Sequence, residues 1–208
     1  MKNMTARKED FIMQKLPESE FWDFSLDVYG RPEVSKLCLD LQDSYGVDVN
    51  MLLFACWLGH TGRGTVTVSA WRAMGLRLNK WRDEVIKPLR SVRHMLKHEH
   101  LAPLDMKEQV FKCEIDAEHI EQLILEKEWG NSRRSKISDS TRRTQDMIEN
   151  LVTYLKAEKV TLDSKLAYRC ERLVKHIGGL LDDKLIRSSC QHAMGLSSGD
   201  SQADITMP

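Results

Sequence analysis

The sequence predicts an all-α fold: a helical bundle around a central buried helix at about residues 48–59, with a C-terminal helical hairpin. Three observations predict it. The run Met51-Leu52-Leu53-Phe54-Ala55-Cys56-Trp57-Leu58 is apolar on every helical face and so must be buried on every face. Stretches on either side of it carry apolar residues at the spacings of an amphipathic helix. Glycines and prolines stand between these stretches, where helices stop and start. At about twelve residues the central run falls short of the roughly twenty that span a bilayer, which leaves a soluble core as its setting.

Residues 1–16 read as a flexible, charged N-terminus and residues 17–129 as the bundle domain. The first helix runs from Pro17 to Tyr29 and stops at Gly30. Phe21, Phe24 or Ser25, and Val28 share one of its faces; Trp22, Leu26 and Tyr29 share the next. So dense an aromatic surface reads as core, with a binding groove as the alternative. The second helix, Pro32 to Tyr45, carries Val34, Leu37, Cys38, Leu41 and Tyr45 as one stripe, and Gly46 is its left-handed stop. Asp48 caps the central helix, with Val47 and Leu52 spaced as a hydrophobic staple.

Thr65 to Gly75 reads as a short helix or irregular turn around Trp71, followed by a long helix from about Leu76 to Lys97. Leu78, Trp81, Val85, Leu89, Val92 and Leu96 form its apolar stripe, and Pro88 predicts a kink or break after Ile86. The next helix, about Asp105 to Trp129, has Val110, Cys113, Ala117, Ile120 and Ile124 as its buried face. Residues 130–145 hold five basic residues against one acid and read as a basic linker. Residues 146–186 form the hairpin, with Met147, Ile148, Leu151 and Leu155 on one helix. Leu162, Leu166, Cys170, Leu173 and Ile177 mark the other, capped by Thr161 and followed by a short amphipathic piece. Two helices alone bury too little to be stable, so the hairpin must dock on the bundle or on a partner. Residues 187–208, rich in Ser, Gly, Asp and Gln, read as a disordered tail.

Thirty-one basic and 31 acidic side chains cancel, so the whole-chain charge gives no reason to bind nucleic acid or an anionic membrane. Five scattered cysteines without a Cys-x-x-Cys pair fit reduced thiols, no signal-peptide apolar region follows the N-terminus, and the cytoplasm is the expected location.

Two groups of residues are candidates for chemistry. His60, Gly62, Arg63 and Gly64 form a glycine loop that, with Arg82, offers a small anion or polar-ligand site. The plain alternative is a helix C-terminus with a connector, His60 at the negative end of the dipole. Glu114, Glu118 and Glu121 make a stripe of like charges that needs an offset. The basic flank Arg82, Arg90 and Arg93 of the preceding helix supplies one and would fix the register of an antiparallel pair. A di-metal site would need two Glu-x-x-His motifs. The chain has only Asp116-Ala117-Glu118-His119, so no metal or other cofactor is expected; His94 and His98 point to solvent.

The segments Phe21-Trp22-Asp23-Phe24-Ser25-Leu26-Asp27-Val28-Tyr29-Gly30, Asp48-Val49-Asn50-Met51-Leu52-Leu53-Phe54 and Trp81-Arg82-Asp83-Glu84-Val85-Ile86-Lys87-Pro88-Leu89-Arg90 resemble a known family. It is a family of proteobacterial conserved hypothetical proteins, catalogued as domain of unknown function 2390, and the Glu114, Glu118, Glu121 stripe is similar to its closing motif. The resemblance covers roughly residues 15–128 and implies a bacterial cytoplasmic protein, with no activity attached. No nucleophile–base arrangement stands out, so the enzyme question stays open. The expected role is a protein-interaction or regulatory module with a protein partner engaged by the hairpin or its basic linker. The alternative is a ligand-binding protein or enzyme using the His60–Gly64 loop.

Overall fold

The computed structural model describes residues 16–130, 139–178 and 181–196. Among these there are nine α-helices and no strand. Helix α1 (Glu20–Tyr29) and α2 (Pro32–Tyr45) form a hairpin beside α3 (Val49–His60). Helix α4 (Val68–Trp81) passes through a π-helical turn (Arg82–Ile86) into α5 (Lys87–His98), and α6 (Leu104–Trp129) returns antiparallel to it. Helices α7 (Ser140–Ala157), α8 (Ser164–Ile177) and α9 (Asp183–Met194) complete the fold. The predicted N-terminal segment before residue 16, most of the linker and the last twelve residues of the predicted tail lie outside the described residues.

Helix α3 is the centre. Every residue from Met51 to Gly59 is buried, and the Asp48 side chain accepts from the Met51 amide at 3.0 Å to close the first turn. Its most extensive partner is α7, supplied by the predicted hairpin. A side chain at Gly59 would stand 2.3 Å from the Met147 backbone nitrogen, so the two helices cross backbone to backbone there. Met147, Ile148, Leu151 and Leu155 of α7 share one core with Leu166, Cys170 and Leu173 of α8 and with the residues of α3. The segment from α7 onward is therefore packed into the bundle.

Several boundaries differ from the sequence reading, each for a local reason. Helix α1 starts at Glu20 because the Ser19 side chain accepts from the Trp22 amide at 2.9 Å; Pro17 lies outside it. Thr67 caps α4, which buries Trp71, Met74 and Leu78, so the stretch expected to be irregular is helical. The break near Pro88 is a π-helical turn. Pro88 has no N–H for an ordinary helical bond, and the Lys87 amide reaches back five residues to the Arg82 carbonyl. Asp139 caps α7, so residues 140–145 of the expected linker are helical, and Asp163 rather than Thr161 caps α8. Helix α9 runs to Met194 with Cys190 and Met194 buried, where a tail from residue 187 was expected.

The largest difference is the rotation of α6. Its buried residues are Glu114, Ala117, Glu121, Gln122 and Leu125, whereas Cys113 is exposed. The carboxylate stripe faces inward, and the expected apolar face is only partly covered. Correspondingly, α5 buries no residue at all, and Val92 of its predicted core stripe is exposed.

Gly59→Ala should destabilise the fold by at least about 2–4 kcal/mol in a denaturant titration, because backbone rather than a flexible side chain occupies the space. A chain ending at Trp129 should lack a cooperative thermal transition, since α3 would lose the face that α7 covers.

Candidate functional site

The N-terminal end of α3 opens onto a cleft of about 530 Å³ between two walls. One wall is α1 and α2, presenting Trp22, Ser25, Leu26, Tyr29 and Leu39. The other is α5 and α6, presenting Arg90, Arg93, Phe111, Ile115 and Glu118. Asn50, Leu53 and Gln122 line it from α3 and α6. The aromatic face on α1 thus divides: Phe21 and Val28 go to the core, and Trp22 and Tyr29 go to the cleft. Trp22 is held there by stacking on His119, ring centroids 4.3 Å apart.

The charged side of the cleft is built of two ion-pair groups. The Arg90 Nε donates to Glu114 Oε1 at 3.0 Å and its Nη2 to Glu118 Oε1 at 2.7 Å, while Arg93 also donates to Glu114. Deeper in, Arg82 donates to Glu121 Oε1 at 2.7 Å and sits 3.2 Å from Asp48 Oδ1, so the cap of α3 is tied to α6 through one guanidinium. Glu121 is 1% exposed and Glu114 3%. Neither would stay charged in the interior without these partners. Asn50 Nδ2 donates to Glu121 Oε2 at 3.1 Å, and Gln122 Nε2 donates to Asn50 Oδ1 at 2.8 Å.

Burial sets the protonation of this network, and the arginines oppose it unequally. Burial pushes the Glu121 carboxyl up to about 7, with the charge of Asp48 adding to the rise and Arg82 resisting it. Burial also raises Glu118 against the pull of Arg90. For Glu114 burial is again the largest effect, yet the hydrogen bonds from Arg93 and Arg90 together outweigh it and hold the carboxyl below its usual range.

The glycine loop sits at the other end of α3. Twelve residues of helix separate it from the cleft, about 18 Å of rise. Arg82, expected beside Arg63, therefore belongs to the cleft end. Three of the loop amides are already engaged: Thr61 N–H donates to Trp57 O, Gly62 N–H to Gly59 O and Arg63 N–H to Leu58 O. A helix C-terminus leaves free carbonyls, and these capture the amides that an anion would need. The Arg63 Nε donates to Gly130 O at 2.6 Å, its Nη2 to Glu20 at 2.9 Å, and the guanidinium lies 4.0 Å over the Trp57 ring. His60 is packed against Phe24, and burial lowers its pKa, with Arg143 and Arg31 adding to the effect. Gly62 and Gly64 both have positive φ and shape the exit of α3. Among the described residues no three His, Cys, Asp or Glu side chains gather in a way that could hold a metal, and Glu118 and Asp116 are not joined by further ligands.

A family model described as Protein of unknown function (DUF2390) matches residues 20–125, just over half of the 208 residues. The chain belongs to this family. No curated protein and no solved structure matches the chain. The DUF2390 segment runs from the first residue of α1 into the last turns of α6, and it contains both walls of the cleft and the whole Arg–Glu network. Helix α7, the main support of α3, lies beyond it.

The residues that sequence reasoning passed over here are Ser25, Asn50 and Gln122. Asn50 and Gln122 did leave a signal, since each is an uncharged polar residue on or beside a stretch that has to be buried.

Because folding raises the Glu121 pKa, its contribution is full below the ordinary carboxylate range and is lost as pH rises through about 7. Glu121→Gln stays neutral throughout. Relative to wild type, the variant should gain about 1–3 kcal/mol between pH 5 and pH 8, read from urea midpoints at each pH.

Proposed function

We propose that the protein is a protein-interaction module whose contact element is the arm formed by α5 and the facing N-terminal half of α6. The observation that carries this is the open apolar surface of the arm. Helix α5 buries nothing, and α6 buries nothing before Glu114. Met95 is 72% exposed and Leu101 91%, with Val92, Leu104 and Met106 exposed beside them. A cluster of large apolar side chains in water marks a contact surface, whereas single exposed ones do not.

Charge narrows the class of partner. Arg90 and Arg93, the cations a phosphate backbone would need, are spent on Glu114 and Glu118. What remains at the tip is Lys97, Lys107 and Lys112 against Glu99, Asp105 and Glu108, which cancel. A neutral, apolar helix pair suits the apolar face of a partner's helix, which would complete a small bundle, and it gives little purchase on a polyanion. The hairpin beyond residue 140, expected to meet the partner, has its apolar face occupied by α3. The glycine loop has the amides of Thr61, Gly62 and Arg63 bonded to α3 carbonyls and the Arg63 Nε and Nη2 paired, which favours the arm over the loop as the contact element.

The test is photo-crosslinking in the native cells from an unnatural residue at position 95 or 104, with position 76 as the control. Leu76 is equally exposed but lies on α4, away from the tip of the arm where Met95 and Leu104 sit. Adducts with one protein from 95 and 104 but not from 76 are expected. Met95→Glu with Leu104→Glu should remove them while the melting curve is unchanged, since exposed substitutions cost within about 0.5 kcal/mol. Equal adducts from all three positions, or none from the arm, would sink the reading.

A further inference from the structure

The cleft between the α1–α2 hairpin and the arm holds a polar group that the fold leaves without a partner. Gln122 is 2% exposed, lines the cleft, and its Oε1 accepts no hydrogen bond. The orientation of that amide is dictated from below. Glu121 accepts from Arg82 on one oxygen and from Asn50 Nδ2 on the other. Asn50 must therefore turn its own oxygen toward Gln122, which answers with Nε2. With Glu121 ionised, the bare atom left over is the Gln122 carbonyl oxygen, an acceptor. Ser25 Oγ, buried on the opposite wall of the same cleft, also has no partner. A buried acceptor or hydroxyl without a partner is unfavourable, and a ligand that pairs it recovers that loss.

The remaining lining indicates what would satisfy them. The volume, about 530 Å³, falls in the range of small-molecule sites. Trp22, Tyr29 and Phe111 supply aromatic walls, and Leu26, Leu39 and Leu53 supply aliphatic ones. The charges are already matched: Arg90 and Arg93 are held by Glu114 and Glu118, and Asp48 is held by Arg82. An anion would have to break these pairs to reach a guanidinium, and a cation would have to compete with an arginine for each carboxylate. An uncharged ligand disturbs neither.

We propose that this cleft binds a neutral aromatic molecule bearing an O–H or N–H donor, with the ring between the α1 and α6 aromatics and the donor on Gln122 Oε1. The site is separate from the exposed arm tip and does not depend on a protein partner. Its ligand would touch both α1 and α6 and so brace the arm against the body.

Phenol and fluorobenzene probe this directly, being nearly equal in size and differing in the donor. Each is titrated into the full chain, with binding followed by two-dimensional NMR of backbone and side-chain amides. Phenol should bind saturably in the millimolar range or tighter, shifting the Gln122 side-chain amide, and should bind at least about fivefold more tightly than fluorobenzene. Gln122→Met should remove the preference between the two probes. Should that variant fail to fold, Leu39→Glu, at a half-exposed rim position, serves instead and should weaken phenol at least about tenfold with an unchanged melting temperature. Absence of saturable phenol binding, equal affinity for both probes, or phenol binding that survives Leu39→Glu would each overturn the proposal.

Discussion

The backbone-to-backbone crossing of α3 and α7 at Gly59 and Met147 is the constraint from which the remaining packing follows. A helix apolar all round has to be enclosed, and α1 and α2 together cover only part of it. Helix α7 closes the largest part, and it can approach so nearly because Gly59 presents no side chain. Once α7 is seated, α8 follows onto α2, and α9 packs on both α7 and α8. The packed core therefore extends beyond the DUF2390 segment.

What α7 does for one side of α3, charge does for the other. Helix α6 turns carboxylates inward, and Arg82, Arg90 and Arg93 meet them. Buried ion pairs contribute little net stability against an apolar alternative, yet losing one partner costs about 3–5 kcal/mol. Such a network fixes how two helices align more than it holds them together. This accounts for an arm that has a definite register on α6 and almost no buried apolar surface. The apolar residues of α5 and the start of α6, released from packing, are left for solvent or for a partner.

The sequence carried the elements well where a single physical rule governed them. Helix α3 was legible from its lack of charge, its Asp48 cap and its length. Gly46 was legible as a left-handed stop, and Pro88 as an irregularity. The Glu114, Glu118 and Glu121 stripe was legible as a set of like charges requiring cations, and Arg82, Arg90 and Arg93 stood at the spacing to meet them. Caps were less legible, because Ser19 and Thr67 compete with neighbours such as Pro17 and Thr65 that satisfy the same local rule. The cleft was hardly legible. Ser25 and Gln122 acquire meaning only when the donors and acceptors around them are counted, and those come from helices far apart in sequence.

By itself the sequence determined that the chain is helical, where its central helix lies, and that α6 carries charge needing an answer. These follow from periodicity, composition and spacing along one helix, which are local properties. Which face of α6 turns inward was decided by the tertiary structure, since an apolar stripe and an ion-paired stripe compete for burial and the outcome depends on what α5 presents. The seating of α7 on α3 was likewise decided there, as was the separation of Arg82 from the glycine loop by the length of α3. Burial is a property of neighbours, and a single chain read in order does not name its neighbours.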